Sequence, residues 1–230
     1  MPKKVKRTNR EQAGLKNIKN INKLYKYLQN TDLDVLKINF GGILLQYQDI
    51  RPDIKNILKY LNKSDFYTAP SATKFNRDKE GSLLRHSLAT YWIFNNLPLI
   101  DKQNMQEVSI AVICLLHDVC KTFFYKKTMK NGKWDKTGQW DNSCSWSEKE
   151  GYVVEDLLPL GHGEKSVIIL QNYIDLKEEE MIAIRWHLGW LDPALHFFYP
   201  SGAPFNKALR ENMYLIPLIT ADQLAANRLF

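Results

Sequence analysis

From Val108 through Leu116 the chain is apolar on nearly every side, and the run stops at the adjacent pair His117 and Asp118. A helix that is apolar all round has to be enclosed by other elements. The segment Gln106–Lys121 therefore reads as the central buried helix of a bundle. Apolar residues at helical spacing predict further helices over Ser82–Asn96, Gly163–Tyr173 and Lys177–Leu188. A last pair spans Lys207–Asn227, with an interruption expected at Pro217. The Lys177–Leu188 segment carries Glu178, Glu179 and Glu180 in its first turn and Gly189 just past its end, which suit the helix dipole and the cap.

Upstream, Ile21–Leu28 and Ile54–Leu61 also show helical spacing, while Ile38–Tyr47, with Gly41 and Gly42, reads as more extended. The stretch Ser64–Pro70 ends in a proline that biases Ala69 away from helix and reads as a loop. Between Phe123 and Trp140 strand-formers surround Asn131 and Gly132, the pair favoured in type I′ turns. A small β-hairpin is expected there, inserted after the central helix. The fold class is mainly α.

The formal charge is +7, and its position matters more than its size. Residues 1–30 carry nine Lys/Arg against the single Glu11, which leaves the other 200 residues at about −1. Residues 1–30 thus read as a basic tail with a first helix, and residues 31–230 as one domain. Such a tail can hold phosphates, as a nucleic-acid partner would require, or be a solvated end only. No stretch approaches the roughly 18 apolar residues of a membrane span, and the N-terminus lacks the apolar core of a signal peptide. A cytoplasmic protein with no membrane partner is expected. Cys114, Cys120 and Cys144 form no CxxC pair; two of them lie in the apolar helical run, where buried thiols are common.

The five histidines carry the strongest chemical signal. His86 shares a helical face with Leu83 and Ile93, and His187 shares one with Ala183 and Ile184. His117 closes the central helix beside Asp118, and His162 lies between two glycines at a helix start. Burying imidazoles and a carboxylate without partners costs several kcal/mol, so these groups must satisfy one another or be organised by a metal. Any one of them alone is more often a satisfied core residue. Their joint arrangement, with Asp222 in the apolar run from Leu218, changes that balance. Imidazole and carboxylate suit Mn, Fe, Co, Ni or Zn as divalent ions. Adjacent helical residues point about 100° apart, so His117 and Asp118 can share one metal only near a helix end, or else serve two ions. Lys121 lies one turn further on, placed to neutralise a bound phosphate.

The order His86, His117-Asp118, Asp222 resembles the H…HD…D signature of the HD superfamily of phosphohydrolases, and LLHDVCK resembles that family's LLHDIGK. The likeness extends from about Ser64 to Asn227 through SDFYTAP, GSLLRHSL, LGHGEKS and IRWHLG. These segments are similar to a bacterial and phage-associated branch related to HD-type 3′-to-5′ exoribonucleases. The resemblance implies an HD-type helical bundle with a core at about 64–227 and metal ligands at His86, His117, Asp118 and Asp222. It places His162 and His187 where dinuclear members hold a second ion. Two departures stand out: Val119-Cys120 replaces the usual Ile-Gly, and no GYP-like tripeptide is present, which weakens the case for a cyclic dinucleotide.

The expectation is hydrolysis of a phosphoester in a nucleotide or a nucleic-acid 3′ end, with divalent metal as cofactor, two ions of Mn, Fe, Co, Ni, Zn or Mg. Asp118 would bridge the ions and Lys121 would stabilise developing charge. Lys165, near a helix N-terminus, and Arg185 are further candidates for substrate binding. Trp190, His196, Phe197, Phe198, Tyr199 and Phe205 could wall a nucleobase or pack against the body. Two rivals belong to other classes: a catalytically silent nucleotide sensor, and a basic RNA- or DNA-binding protein with structural histidines.

Overall fold

The computed structural model describes residue 15 and residues 18–73, 79–98, 102–135, 140–197 and 202–228. Most of the basic tail, and Phe198 and Tyr199 of the aromatic loop, lie outside them. In order, the elements are α1 (Ile21–Asn30), α2 (Leu33–Leu45), α3 (Ile54–Lys63), α4 (Ser82–Asn96) and α5 (Glu107–Leu116). A 3₁₀ turn (Val119–Lys121) leads into β1 (Tyr125–Lys133) and β2 (Trp146–Val154). Then come α6 (His162–Gln171), α7 (Glu178–Arg185), a 3₁₀ turn (Gly189–Leu191), α8 (Pro193–Phe197), α9 (Ala203–Glu211) and α10 (Leu215–Arg228). The protein is mainly helical, with a two-stranded antiparallel sheet among the described residues.

As expected, α5 is the central helix, and every residue from Val108 to Leu116 is buried. It packs on α4, α2, α7 and α10, while α10 lies along α4 and α6 lies beside α7. The one polar residue of the run, Ser109, donates to Glu180 Oε1 at 2.7 Å. Glu180 is fully buried and also receives Arg51 Nη1 at 3.1 Å and the backbone N–H of Lys177 at 3.0 Å. Arg51 Nη2 donates to the carbonyl of Asp175 at 2.7 Å. This network joins the start of α3 to α5 and α7, so a buried charge pair sets the packing of the central helix.

Three sequence expectations are corrected. Ile38–Tyr47 is not extended but falls largely in α2. Asp32 caps that helix by accepting from the Asp34 N–H at 2.8 Å, and Leu36, Phe40 and Leu44 bury one stripe. A helical glycine costs about 1 kcal/mol, whereas a fully buried Leu or Phe contributes about 1.5–3 kcal/mol. The stripe therefore outweighs Gly41 and Gly42. Asn131 and Gly132 do not form the hairpin turn, because they pair with Glu148 and Ser147 inside the ladder. Strands with polar residues on both faces specify register weakly. Here an aromatic cluster sets it: Trp140 packs edge-on to Trp134 and Trp146, and Trp134 Nε1 donates to the Ser147 carbonyl at 3.1 Å. Pro217 does not interrupt the last helix. It sits in the first turn of α10, where no N–H is needed, and the break falls at Asn212, whose Oδ1 accepts from the Tyr214 N–H at 3.0 Å.

No described helix is long and apolar enough to cross a membrane.

Candidate metal centre

The α-helical part of the predicted Gln106–Lys121 segment ends at Leu116, and this break builds the site. His117 keeps helical dihedrals, but Asp118 has φ −101° and ψ 19°, between the helical and extended regions. The two side chains therefore converge, which a continuing helix would not allow. The following 3₁₀ turn brings Lys121 back, with Nζ 2.5 Å from Asp118 Oδ2.

The structure brings together six predicted ligands from five places in the chain. His86 comes from α4, His117 and Asp118 from the end of α5, His162 from the first residue of α6, His187 from just past α7, and Asp222 from α10. On one side, His86 Nε2 is 2.9 Å from Asp222 Oδ1 and 3.3 Å from His117 Nε2. Both nitrogens are 3.6 Å from Asp118 Oδ2. On the other, Asp118 Oδ1 is 2.7 Å from His162 Nε2 and 3.6 Å from His187 Nε2. All but His162 are at most 5% exposed; the His162 side chain is 25% exposed and marks the face open to solvent.

The imidazole tautomers follow from the backbone. His117 Nδ1 lies 3.0 Å from the Cys114 carbonyl, and His187 Nδ1 lies 2.7 Å from that of Ile184. A carbonyl only accepts, so each Nδ1 carries a proton and Nε2, the atom that would hold the lone pair of a neutral ring, points inward. That leaves lone pairs facing carboxylate oxygens, an arrangement that a proton or a cation has to relieve. His187 Nε2 has no hydrogen-bond partner, which fits a metal ligand. His86 differs, because its Nδ1 is the unpartnered atom. Three overlapping groups could each hold a metal ion: His86, His117 and Asp222; His117, Asp118 and His187; Asp118, Cys120 and His162.

Burial and charge pull against each other at the same groups. Burial alone would raise the Asp118 carboxyl, but the Lys121 ammonium and the imidazoles of His117 and His162 hold it well below the usual carboxylate range. Asp222 is likewise held low, His117 and His86 overcoming its burial. Burial keeps His86 and His162 below the ordinary imidazole value despite their carboxylate partners. His117 is raised, because Asp118 and Asp222 outweigh its burial. Burial, and then Asp118, push the Cys120 thiol up to about 12.

The other candidates are placed elsewhere. Lys165 is buried, with Nζ 2.5 Å from Asp156 Oδ1 and 4.7 Å above the Phe124 ring. Arg185 pairs with Glu164 at 2.5 Å and Asp192 at 2.6 Å, and its guanidinium lies 3.9 Å from the Trp186 ring centre. Neither turns a free charge toward the ligands. Of the aromatic loop, Phe205 is buried against Trp186 and Trp190, while Trp190 is 63% exposed and His196 is exposed.

Sequence reasoning missed two contributors. Cys120 read as an ordinary buried thiol, yet its Sγ lies 3.4 Å from His162 Nδ1; its place two residues past Asp118 was the available signal. Asp65, within SDFYTAP, accepts from the Phe123 N–H at 2.8 Å. It thereby anchors the chain just after Lys121, where Phe123 has φ 52°. No protein-family model, curated protein or solved structure matches the chain, so what the centre does has to be argued from its own atoms.

Proposed function

We propose that the protein is a metal-dependent phosphohydrolase of the HD type, in which two divalent ions share Asp118. The observation that carries this reading is the division of one carboxylate: Oδ2 faces His86 and His117 at 3.6 Å, and Oδ1 faces His162 at 2.7 Å and His187 at 3.6 Å. His86, His117, Asp222 and Asp118 Oδ2 would hold one ion, and His162, His187 and Asp118 Oδ1 the other. With neutral imidazoles, the two carboxylates and Lys121 leave an excess negative charge, which favours cations.

When bound, the ions would supply Lewis acidity to phosphoryl oxygens and would lower the pKa of water. The chain's own residues do the rest. Lys121 keeps its proton, because Asp118 outweighs its burial, and supplies a fixed positive charge where negative charge develops on a phosphoryl group. His117 and His187, each anchored through Nδ1, hold their rings in one orientation. His162, the most exposed ligand, lies on the side from which substrate would approach.

Substrates of the nucleotide class, or nucleic-acid 3′ ends, fit two exposed aromatics close to ligands in sequence. Phe123, 54% exposed, is two residues past Lys121, and Trp190, 63% exposed, is three past His187. Base stacking on such side chains is worth about 1–3 kcal/mol per base. The test is a screen of nucleoside phosphates, cyclic nucleotides and short oligonucleotides against purified protein loaded with each divalent ion. Metal-dependent release of phosphate or nucleotide, abolished by Asp118→Ala, is expected. Metal-dependent binding without turnover would identify a sensor instead, and turnover unaffected by Asp118→Ala would refute the mechanism.

A further inference from the structure

Cys120 stands among the ligands of the second position. Its Sγ is 3.4 Å from Nδ1 and 3.6 Å from Nε2 of His162, and Asp118, Cys120 and His162 each offer a ligand atom within 4.8 Å of the others. A second group faces the same carboxylate: His187, 1% exposed and clustered with His117 and Asp118, directs an unpartnered Nε2 toward Asp118 Oδ1, the oxygen that His162 also meets, from 3.6 Å. The thiol is also fixed in position. The Cys120 N–H donates to Ser166 Oγ at 3.2 Å, so the 3₁₀ turn is tied to α6, the helix that carries His162. For a tetrahedral zinc with Zn–S about 2.3 Å and Zn–N about 2.0–2.1 Å, the sulfur and nitrogen ligands stand about 3.6 Å apart. The Sγ to Nε2 separation is 3.6 Å.

Building on the metal-centre reading above, we propose that Cys120 is a thiolate ligand of the second ion, together with His162, His187 and Asp118 Oδ1. That position is then a mixed sulfur, nitrogen and oxygen site suited to zinc, cobalt or iron, and unsuited to magnesium. The first position, with His86, His117, Asp222 and Asp118 Oδ2, has nitrogen and oxygen ligands only, so the two ions differ in the softness of their surroundings. Ligation exchanges an S–H bond for an S–metal bond and releases the proton to solvent; no oxidant or reductant is involved.

The test is titration of metal-free, full-length protein with Co²⁺, reading absorption spectrum and bound metal together. A near-ultraviolet sulfur-to-cobalt charge-transfer band should appear with the second equivalent, persist in Cys144→Ser and vanish in Cys120→Ser. Zinc titration of Cys120→Ser should show the second equivalent weakened by about ten- to a hundredfold or more, the scale set by ligand-sphere changes, and the first unchanged. Two bound cobalt ions without the band would overturn the thiolate ligand while leaving the dinuclear reading intact. An unchanged second zinc affinity in Cys120→Ser would do the same. A wild-type protein that binds no cobalt at all would bring down both. The wild-type spectrum decides the matter even where the serine variant does not fold.

Discussion

Asp118 is the residue on which the site's electrostatics turn. One carboxylate meets Lys121 at 2.5 Å, His162 at 2.7 Å, and His86, His117 and His187 at 3.6 Å. If two ions share it as proposed, removing it would strip one ligand from each, and in any case its loss would leave the Lys121 ammonium without its carboxylate. His117 makes a second prediction at this scale. Its carboxylate neighbours raise its pKa above the ordinary 6.5, so in the metal-free protein it is protonated below that raised value. A metal must displace this proton, and displacement becomes easier as pH rises through the folded value. Metal affinity should therefore climb with pH up to that raised value, with close to one proton released per ion bound at the first position, and level off above it. His86 and His162, whose values are lowered, are already neutral there and add nothing to the slope. Calorimetry in buffers of different ionisation enthalpy reads the proton count; a pH-independent affinity would contradict the assignment.

Among the elements, the meeting of α6 and α7 decides whether His162 and His187 can reach the same carboxylate oxygen. Gly163 makes the approach possible, since a Cβ there would lie 2.1 Å from the Arg185 carbonyl oxygen. Gly163→Val should cost about 1–3 kcal/mol, as overpacking does. Chemical denaturation would read that loss, and metal analysis should show the second ion lost first. A different element contact sets the buried pair: Glu180→Ala leaves Arg51 with Asp53 at 3.5 Å as its remaining carboxylate and takes the acceptor from Ser109, and it should cost about 3 kcal/mol, the low end for a broken buried pair, measurable by the same denaturation. The main elements of the bundle were legible in sequence because apolar periodicity is a local signal, and the clustering of the histidines with Asp118 and Asp222 because several histidines fall on or beside helices expected to be buried. What failed was decided by packing. Gly41 and Gly42 masked a helix whose stripe of Leu36, Phe40 and Leu44 pays off only against the core. Asn131 and Gly132 promised a turn that the tryptophan cluster moved further along. The occupation of Lys165 by Asp156, and of Arg185 by Glu164 and Asp192, depends on contacts that no spacing rule encodes.

For the whole molecule, ligands and hairpin separate cleanly: the six predicted ligands come from α4, the end of α5, α6, the end of α7 and α10, and none from β1 or β2. Replacing residues 128–151, which pair across the ladder at Thr128 and Gly151, by a short turn should leave metal content unchanged. A loss of metal would show that the hairpin supports the centre. The central claim is that one buried carboxylate joins two metal positions, and equilibrium dialysis against zinc followed by elemental analysis tests it most directly. Wild-type protein should retain two ions per chain, and folded Asp118→Ala, checked by circular dichroism, should retain neither at the same free zinc. A wild type that binds none, or an Asp118→Ala variant that keeps both, would contradict it.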